Sequence, residues 1–228
     1  MQPIQIAIDG PSGAGKSTIA KCLSQRLGIM YLDTGAMYRA LALKAIRLDI
    51  DTRDSERVSS LLHRLDIRIT FESGNQKVLL DGEDVTGLIR TDEVSMGASN
   101  VSAIPVVRER LVELQQKIAS NNGVVMDGRD IGTHVLPNAQ VKIFLTASVH
   151  ERAQRRYQEL KNKGLLTKTF KELEEEIEIR DYNDSHREAS PLKKAEGAVL
   201  LDTSGLTIDQ VVEKILEQVK MKGLTYAL

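Results

Sequence analysis

Short apolar segments recur along the chain, and stretches of helical character separate them. Five such segments are dominated by Val, Ile, Leu and Ala, at residues 4–9, 29–33, 124–127, 141–146 and 198–202. Segments this short and this apolar are typical of strands buried on both faces in a parallel sheet. The helical stretches include residues 17–27, 35–48, 149–163 and 208–220. This alternation predicts an α/β fold, in which a parallel sheet carries helices on both faces.

Residues 66–85 interrupt the alternation with a different pattern. The segments IRITF and KVLL are rich in β-favouring residues, and the polar segment ESGNQ lies between them. A polar turn between two such segments predicts a β-hairpin. We therefore expect a small antiparallel insertion on the parallel core. After it, Pro105 begins a predicted amphipathic helix that places Leu111, Leu114 and Ile118 on one face.

Composition limits the classes of protein to which this chain can belong. The chain has 228 residues, enough for one sizeable core, with 41% apolar residues, 28% charged residues and a formal net charge of −1. A net charge so close to zero argues against wholesale binding to nucleic acid or to an anionic membrane. The single cysteine, Cys22, excludes an internal disulfide. With no signal-like N-terminal segment and no apolar segment of about 18 residues, we expect a soluble cytoplasmic protein.

The first glycine-rich turn carries the most specific motif. Residues 10–17 read GPSGAGKS and fit G-x-x-x-x-G-K-[ST], after a predicted strand and before a predicted helix. In such a turn backbone N–H groups surround phosphate oxygens, and the following helix presents its positive end to the same anion. Lys16 is expected to reach the β- and γ-phosphates of ATP, and the Ser17 hydroxyl to bind Mg²⁺. The predicted ATP-binding residues here are Gly10, Pro11, Ser12, Gly13, Ala14, Gly15, Lys16, Ser17 and Thr18.

This loop predicts nucleotide binding but not the reaction, because GTPases, motors and small-molecule kinases share it. A regulatory GTPase would need an N-K-x-D segment to read guanine, and the Asn162-Lys163 pair is followed by Gly-Leu. A non-catalytic nucleotide-binding module is a second alternative, although it would not need Lys16, Ser17 and a set of arginines together. A kinase for another monophosphate, or for a small alcohol, is a third.

Arginine and aspartate recur where predicted strands end. Arg39 follows the second strand, and Arg129 and Asp130 follow the third. Ligands of α/β sheets bind at the carboxyl ends of the strands. A guanidinium group donates two parallel hydrogen bonds to a phosphate, so several arginines at this edge favour a second phosphate site.

Two further arginine groups lie on predicted helices. Arg180, Asp184 and Arg187 are spaced i, i+4, i+7, so one helix face can present all three. Arg152 and Arg156 form another i, i+4 pair, placed to reach the ATP side. A single helical arginine more often belongs to a solvated face or to a weak ion pair, so the interpretation depends on the whole set.

The segments 10–18, 33–39, 127–132 and 180–187 together resemble bacterial cytidylate kinases, and the similarity extends over nearly the whole chain. The resemblance implies a five-stranded parallel sheet of the P-loop NTPase type, as in nucleoside monophosphate kinases, with a short helical lid. It also implies ATP-dependent phosphorylation of CMP and dCMP to the diphosphates, with Mg²⁺ as the cofactor. We expect a monomer whose partners are these nucleotides.

The same resemblance divides a single unit, residues 1–228, into three regions. The core comprises residues 1–65, 100–150 and 190–228. Residues 66–99 form the insertion that enlarges the monophosphate-binding region, and residues 155–188 form the lid.

Roles follow for the residues that match the family's motifs. The residues expected to hold the acceptor phosphate are Ser12, Arg39 and Arg129. Those expected to bind the nucleoside are Ser99, Arg108 and Asp130 for cytosine, and Arg180 and Asp184 for ribose. Thr34 joins the substrate-binding set where some relatives have serine, and Arg187 would fix the group near the phosphate or Asp130. The expected catalytic residues are Lys16, Arg39, Arg129 and Arg187, while Arg152 and Arg156 are assigned to ATP.

The chemistry of the acceptor accounts for the lack of a catalytic-base motif. A phosphate monoester has a second pKa near 6, so at neutral pH it is largely a dianion that needs no base. Cytosine carries an amino group that Asp130 can accept, whereas uracil carries an oxygen there, so we expect CMP to be preferred over UMP. For Asp127 two hypotheses stand, orientation of Mg²⁺-bound water and capping of the turn that follows its strand.

Overall fold

The computed structural model of the protein describes residues 3–72 and 74–224, so residues 1, 2, 73 and 225–228 of the predicted unit lie outside the described residues. The strands are β1 (Gln5–Asp9), β2 (Met30–Asp33), β3 (Ile67–Glu72), β4 (Asn75–Leu80), β5 (Glu83–Asp84), β6 (Val124–Gly128), β7 (Val141–Thr146) and β8 (Val199–Asp202). The helices are α1 (Lys16–Leu27), α2 (Gly35–Arg47), α3 (Ser55–Leu61), α4 (Asp92–Ser102), α5 (Pro105–Ala119), α6 (Val149–Asn162), α7 (Phe170–His186) and α8 (Ile208–Met221). Short 3-10 turns lie at Leu62–Arg64 and Leu88–Arg90, and a π-helical turn lies at Ile131–Val135.

The five predicted apolar segments form one parallel sheet in the order β2-β6-β1-β7-β8, which confirms the predicted fold class. The register pairs Asp33 with Asp127 and Asp9 with Gly128, so β2, β6 and β1 end at the same edge. Sheet neighbours are far apart in the sequence, and this edge therefore brings distant segments together.

Helices cover both faces of the sheet, and the alternation of side chains along β1 shows why. Ile6 and Ile8 pack with α1 and α8, whereas Ala7 packs with α5 and the turn Ile131–Val135. The apolar stripe of α8 is buried as predicted, at Val211, Val212, Ile215, Leu216 and Val219. Each of these side chains contributes roughly 1.5–3 kcal/mol of burial free energy, which the cost of ordering the helix partly offsets.

The insertion is a three-stranded antiparallel sheet in the order β3-β4-β5, as the hairpin pattern predicts. Its turn is shorter than the polar segment suggested, because β3 reaches Glu72 and β4 begins at Asn75. Gly74 has a φ of +75°, a left-handed conformation that favours glycine. The insertion shares one hydrophobic cluster with α2, α4 and α5, in which Val78, Leu80 and Leu41 are buried. The predicted boundary at residue 99 falls inside α4.

Helices α6 and α7 pack against each other in the region predicted as the lid. A capping box in which Thr169 and Glu172 bond each other's backbone N–H groups begins α7. None of the helices within residues 3–72 and 74–224 combines the length and the apolar character that a bilayer crossing requires.

Candidate active site

The glycine-rich loop connects β1 to α1 in a conformation that its glycines permit. A Cβ atom on Gly10 would lie 2.1 Å from the carbonyl oxygen of Leu145, so no side chain fits there. Gly15 has a φ of +86°, immediately before the first residue of α1. The loop thus passes directly into a helix N-terminus, where unpaired N–H groups and the helix dipole favour an anion.

Lys16 lies folded back under this loop. Its Nζ donates to the carbonyl oxygen of Pro11 at 2.7 Å, and the residue is buried. Burial, reinforced by the nearby Arg129 guanidinium, lowers the pKa of Lys16 to about 7. An anion bound in the loop would favour the charged amine, so the loop and Lys16 are suited to hold phosphate groups together.

Ser17 and Asp127 form the part of the site suited to a metal ion. The Ser17 Oγ donates to Asp127 Oδ2 at 2.8 Å, and the Tyr31 hydroxyl donates to Oδ1 at 2.9 Å. Burial, together with the charge on Asp33, raises the pKa of Asp127. The carboxylate thus accepts hydrogen bonds from two hydroxyl groups, one of them on the first turn of α1. Hydroxyl and carboxylate oxygens suit Mg²⁺.

One carboxylate oxygen of Asp33, at the end of β2, accepts hydrogen bonds from two arginines. Its Oδ2 accepts from Arg39 Nη2 at 2.7 Å and from Arg90 Nη2 at 2.8 Å. Burial would raise the pKa of Asp33, but these two guanidinium groups hold it below its ordinary value. Arg39 therefore lies at the predicted edge. Arg90 comes from the insertion, and the sequence offered no signal for it beyond its place after the predicted hairpin.

A second buried carboxylate, Asp184, lies among three arginines. Arg129 Nε donates to its Oδ2 at 2.7 Å, and Arg187 Nη1 lies 3.6 Å from its Oδ1. Burial and the charge on Arg129 lower the pKa of Arg180 to about 10. The buried Nε of Arg180 has no hydrogen-bond partner among the described residues. An anionic ligand could accept a hydrogen bond from this unpaired guanidinium nitrogen and offset the cost of its burial.

Arg108 and Asp130 form a buried ion pair at the start of the turn after β6. Arg108 Nη1 also donates to the carbonyl oxygen of Ser102 at 3.0 Å, and its guanidinium carbon lies 5.5 Å from the centre of the Tyr38 ring. Arg187 Nη2 lies 4.0 Å from Asp130 Oδ1, so Arg187 lies between Asp130 and Asp184.

Two other predicted substrate residues have their polar groups engaged in the structure. Thr34 is buried, and its hydroxyl donates to the carbonyl oxygen of Asp127 at 2.8 Å. Ser99 lies half-buried on α4, where its carbonyl oxygen accepts from the Ser102 hydroxyl at 2.8 Å. Thr34 directly precedes α2, and Ser99 lies within α4.

Arg152 and Arg156 occupy different environments. Arg152 is buried behind the glycine-rich loop, where its Nη1 donates to the Ser12 carbonyl oxygen at 2.9 Å and to Asp181 Oδ2 at 2.5 Å. The other oxygen of Asp181 accepts from the Ser12 backbone N–H at 3.1 Å. Arg156 instead reaches across to Asp92, at the start of α4, at 3.1 Å. Asp181 was missed from the sequence because it lies within a helix rich in charged residues.

Known proteins resemble this chain over nearly its whole length. The profile of the cytidylate kinase family matches residues 6–221. The cytidylate kinase of Caldicellulosiruptor bescii is 54% identical over 217 residues, which cover 95% of this chain and 96% of that protein. That of Bacillus subtilis is 52% identical over 220 residues, covering 96% and 98%. Shikimate kinase from Bacteroides thetaiotaomicron superposes with a TM-score of 0.50 at 15% identity, covering 95% of this chain and 98% of that one, and shows a shared fold alone.

Proposed function

The chain belongs to the cytidylate kinase family and phosphorylates CMP with ATP, and from this premise we propose how its residues divide the reaction. The observation that carries the proposal is the meeting of two anion-binding groups at one sheet edge. The loop with Lys16 is one group, and the arginines around Asp184 are the other. The charge of Arg129 contributes to the lowered pKa of Lys16, which supports the two groups lying near each other at this edge.

The glycine-rich loop and Lys16 bind the phosphates of ATP, with Arg152 bracing the loop from behind. Ser17 would hold Mg²⁺, with Asp127 as its hydrogen-bonded neighbour. A bound Mg²⁺ supplies charge neutralisation on the donor phosphates and orients them. Among the described residues, no group of three or more His, Cys, Asp or Glu is placed to hold a metal ion. The remaining ligands would therefore be phosphate oxygens and water, as is usual for Mg²⁺.

Replacing Ser17 by alanine is expected to raise the Mg²⁺ concentration for half-maximal activity at least tenfold, the size typical of weakened metal support. Titration of Mg²⁺ in a coupled ADP-release assay measures this. Ser24→Ala is the control, because Ser24 lies on the same helix and its hydroxyl donates to the Lys21 carbonyl oxygen. An unchanged Mg²⁺ dependence in the Ser17 variant would remove that residue from the metal site.

We assign the acceptor phosphate to Arg39, Arg129 and Ser12, with Arg187 adding charge. The dianion attacks without a general base, because it is already ionised at neutral pH. Rate enhancement then comes from alignment of the two nucleotides and from cationic neutralisation of the transferred phosphoryl group. Closure of the region 155–188 would exclude water and limit hydrolysis of ATP.

The Arg108–Asp130 pair recognises the cytosine base, and Arg180 and Asp184 bind the ribose. Asp130 accepts the cytosine amino group, while Arg108 donates to the ring acceptors. CMP and dCMP differ only in the sugar, and the sugar contacts are only part of the nucleoside site. We therefore propose that both nucleotides are substrates. We further propose a cytoplasmic monomer, and the single cysteine suits a reducing cytosol.

A panel of nucleoside monophosphates tests this reading of the base. We expect kcat/KM for CMP to exceed that for UMP at least a hundredfold, because uracil would leave a buried carboxylate facing an oxygen. Asp130→Asn, which can donate to that oxygen, should reduce the preference to roughly tenfold or less. The surface substitution Asp54→Asn is the control. Equal efficiency of the wild-type enzyme on CMP and UMP would contradict the proposed reading.

A further inference from the structure

Asp9 is a buried carboxylate to which the reaction proposed above gives no role. It is the last residue of β1 and directly precedes the glycine-rich loop. Its Oδ1 accepts from the Ile131 backbone N–H at 2.8 Å, and its Oδ2 accepts from the Gly132 N–H at 2.7 Å. The side chain is 3% exposed, so neither solvent nor a substrate reaches it freely.

These two hydrogen bonds act on the turn that carries Arg129 and Asp130. On one side of these residues, Gly128 is held by strand pairing, opposite Asp9 itself. On the other side, Ile131 and Gly132 are held by the Asp9 carboxylate. The two residues that carry the acceptor contacts are thus fixed at both ends by one residue of the neighbouring strand. The same residue directly precedes the glycine-rich loop.

Asp9 is still largely ionised at neutral pH, although its surroundings raise its pKa. Burial raises the pKa of Asp9 to about 6, while the two backbone donors and Lys16 act in the opposite direction and Asp130 adds to the rise. Above that pH, both oxygens are available as acceptors. A hydrogen bond to a charged acceptor is about twice as strong as one between neutral groups.

Resting on the proposed function, we propose that Asp9 is a positioning residue that sets the Arg129–Asp130 turn relative to the ATP loop. It contacts neither nucleotide in this scheme. Its loss would therefore weaken binding and reading of the acceptor while leaving the donor site intact. If Asp9 contributed to stability alone, its substitution would lower the amount of folded enzyme. The ratio of KM for CMP to KM for ATP would not change.

The test is Asp9→Asn, whose amide has one acceptor oxygen and would turn a donor toward the second backbone N–H. We expect KM for CMP to rise about tenfold, because the loosened turn misplaces Arg129 and Asp130, with KM for ATP changed less than twofold. The ratio of kcat/KM for CMP to that for UMP should fall at least fivefold. Asp54→Asn, which alters a helix cap far along the chain, is the control.

Gly132→Ala tests the same contact from the other side in case the Asp9 variant does not fold. A Cβ there would lie 3.3 Å from Asp9 Oδ2 and 3.1 Å from the Ala195 Cβ, so it displaces the turn by a few tenths of an ångström. The same rise in KM for CMP is expected. Wild-type substrate constants and base preference in both variants would overturn the inference. If wild-type enzyme failed to prefer CMP, or Asp130→Asn left the preference intact, the proposed reading of the base would fail instead.

Discussion

Lys16→Met is expected to lower kcat about a thousandfold, because it removes the cation placed at the donor phosphates while keeping the length of the side chain. A single well-placed cation contributes factors of this size to phosphoryl transfer. The fold should tolerate the change, since a buried amine with a lowered pKa is replaced by an apolar group. Coupled-assay kinetics and thermal unfolding measure the two effects. Lys21→Met, on the exposed side of the same helix, should leave both unchanged.

The lowered pKa of Lys16 gives this prediction a second readout. In the free enzyme the amine titrates near pH 7, and bound phosphates would raise its pKa again. At pH 8, ATP binding should therefore take up a proton, up to about one per site. Calorimetry in two buffers with different ionisation enthalpies measures this uptake, and Lys16→Met should abolish it. If Lys16→Met retained full proton uptake, or a kcat near that of the wild type, Lys16 would not contact the donor.

Arg129→Ala is expected to lower kcat/KM for CMP at least a thousandfold, through both a lower kcat and a higher KM for CMP. The substitution removes a guanidinium fork from the acceptor phosphate and a cation from the transferred group. Asp184 keeps Arg180 and Arg187 as neighbours, so the variant should still fold. KM for ATP should change little. Steady-state kinetics with each substrate varied in turn separate these effects.

Two matched variants make the Arg129 result specific. Arg129→Lys keeps the charge but loses bidentate geometry, so it should recover only part of the lost rate. Arg26→Ala removes an exposed arginine that pairs with Glu213 on the surface, and should behave as wild type. Wild-type kinetics in Arg129→Ala would exclude that residue from the acceptor site.

The elements of the fold and the donor loop were predictable because their signals are local. A buried strand needs only a short apolar segment, and the loop's function depends on contiguous residues from Gly10 to Ser17. The placement of Arg39, Arg129 and Asp130 at one sheet edge also followed from the rule that parallel strands end together. The hairpin was predicted, but the length of its turn was not, because pairing across the strands outweighed the polar character of residues 72–76.

Only the tertiary structure decided which charges meet. The order β2-β6-β1 brings Asp9 beside the turn that contains Arg129, and α7 brings Asp184 to the same arginine. Arg90 reaches Asp33 from the insertion, and Arg156 turned toward Asp92. Local sequence patterns determine helices, strands and contiguous loops because the interactions responsible span a few residues. Ion pairs between segments far apart in the chain depend on how those elements pack, which periodicity and composition do not encode.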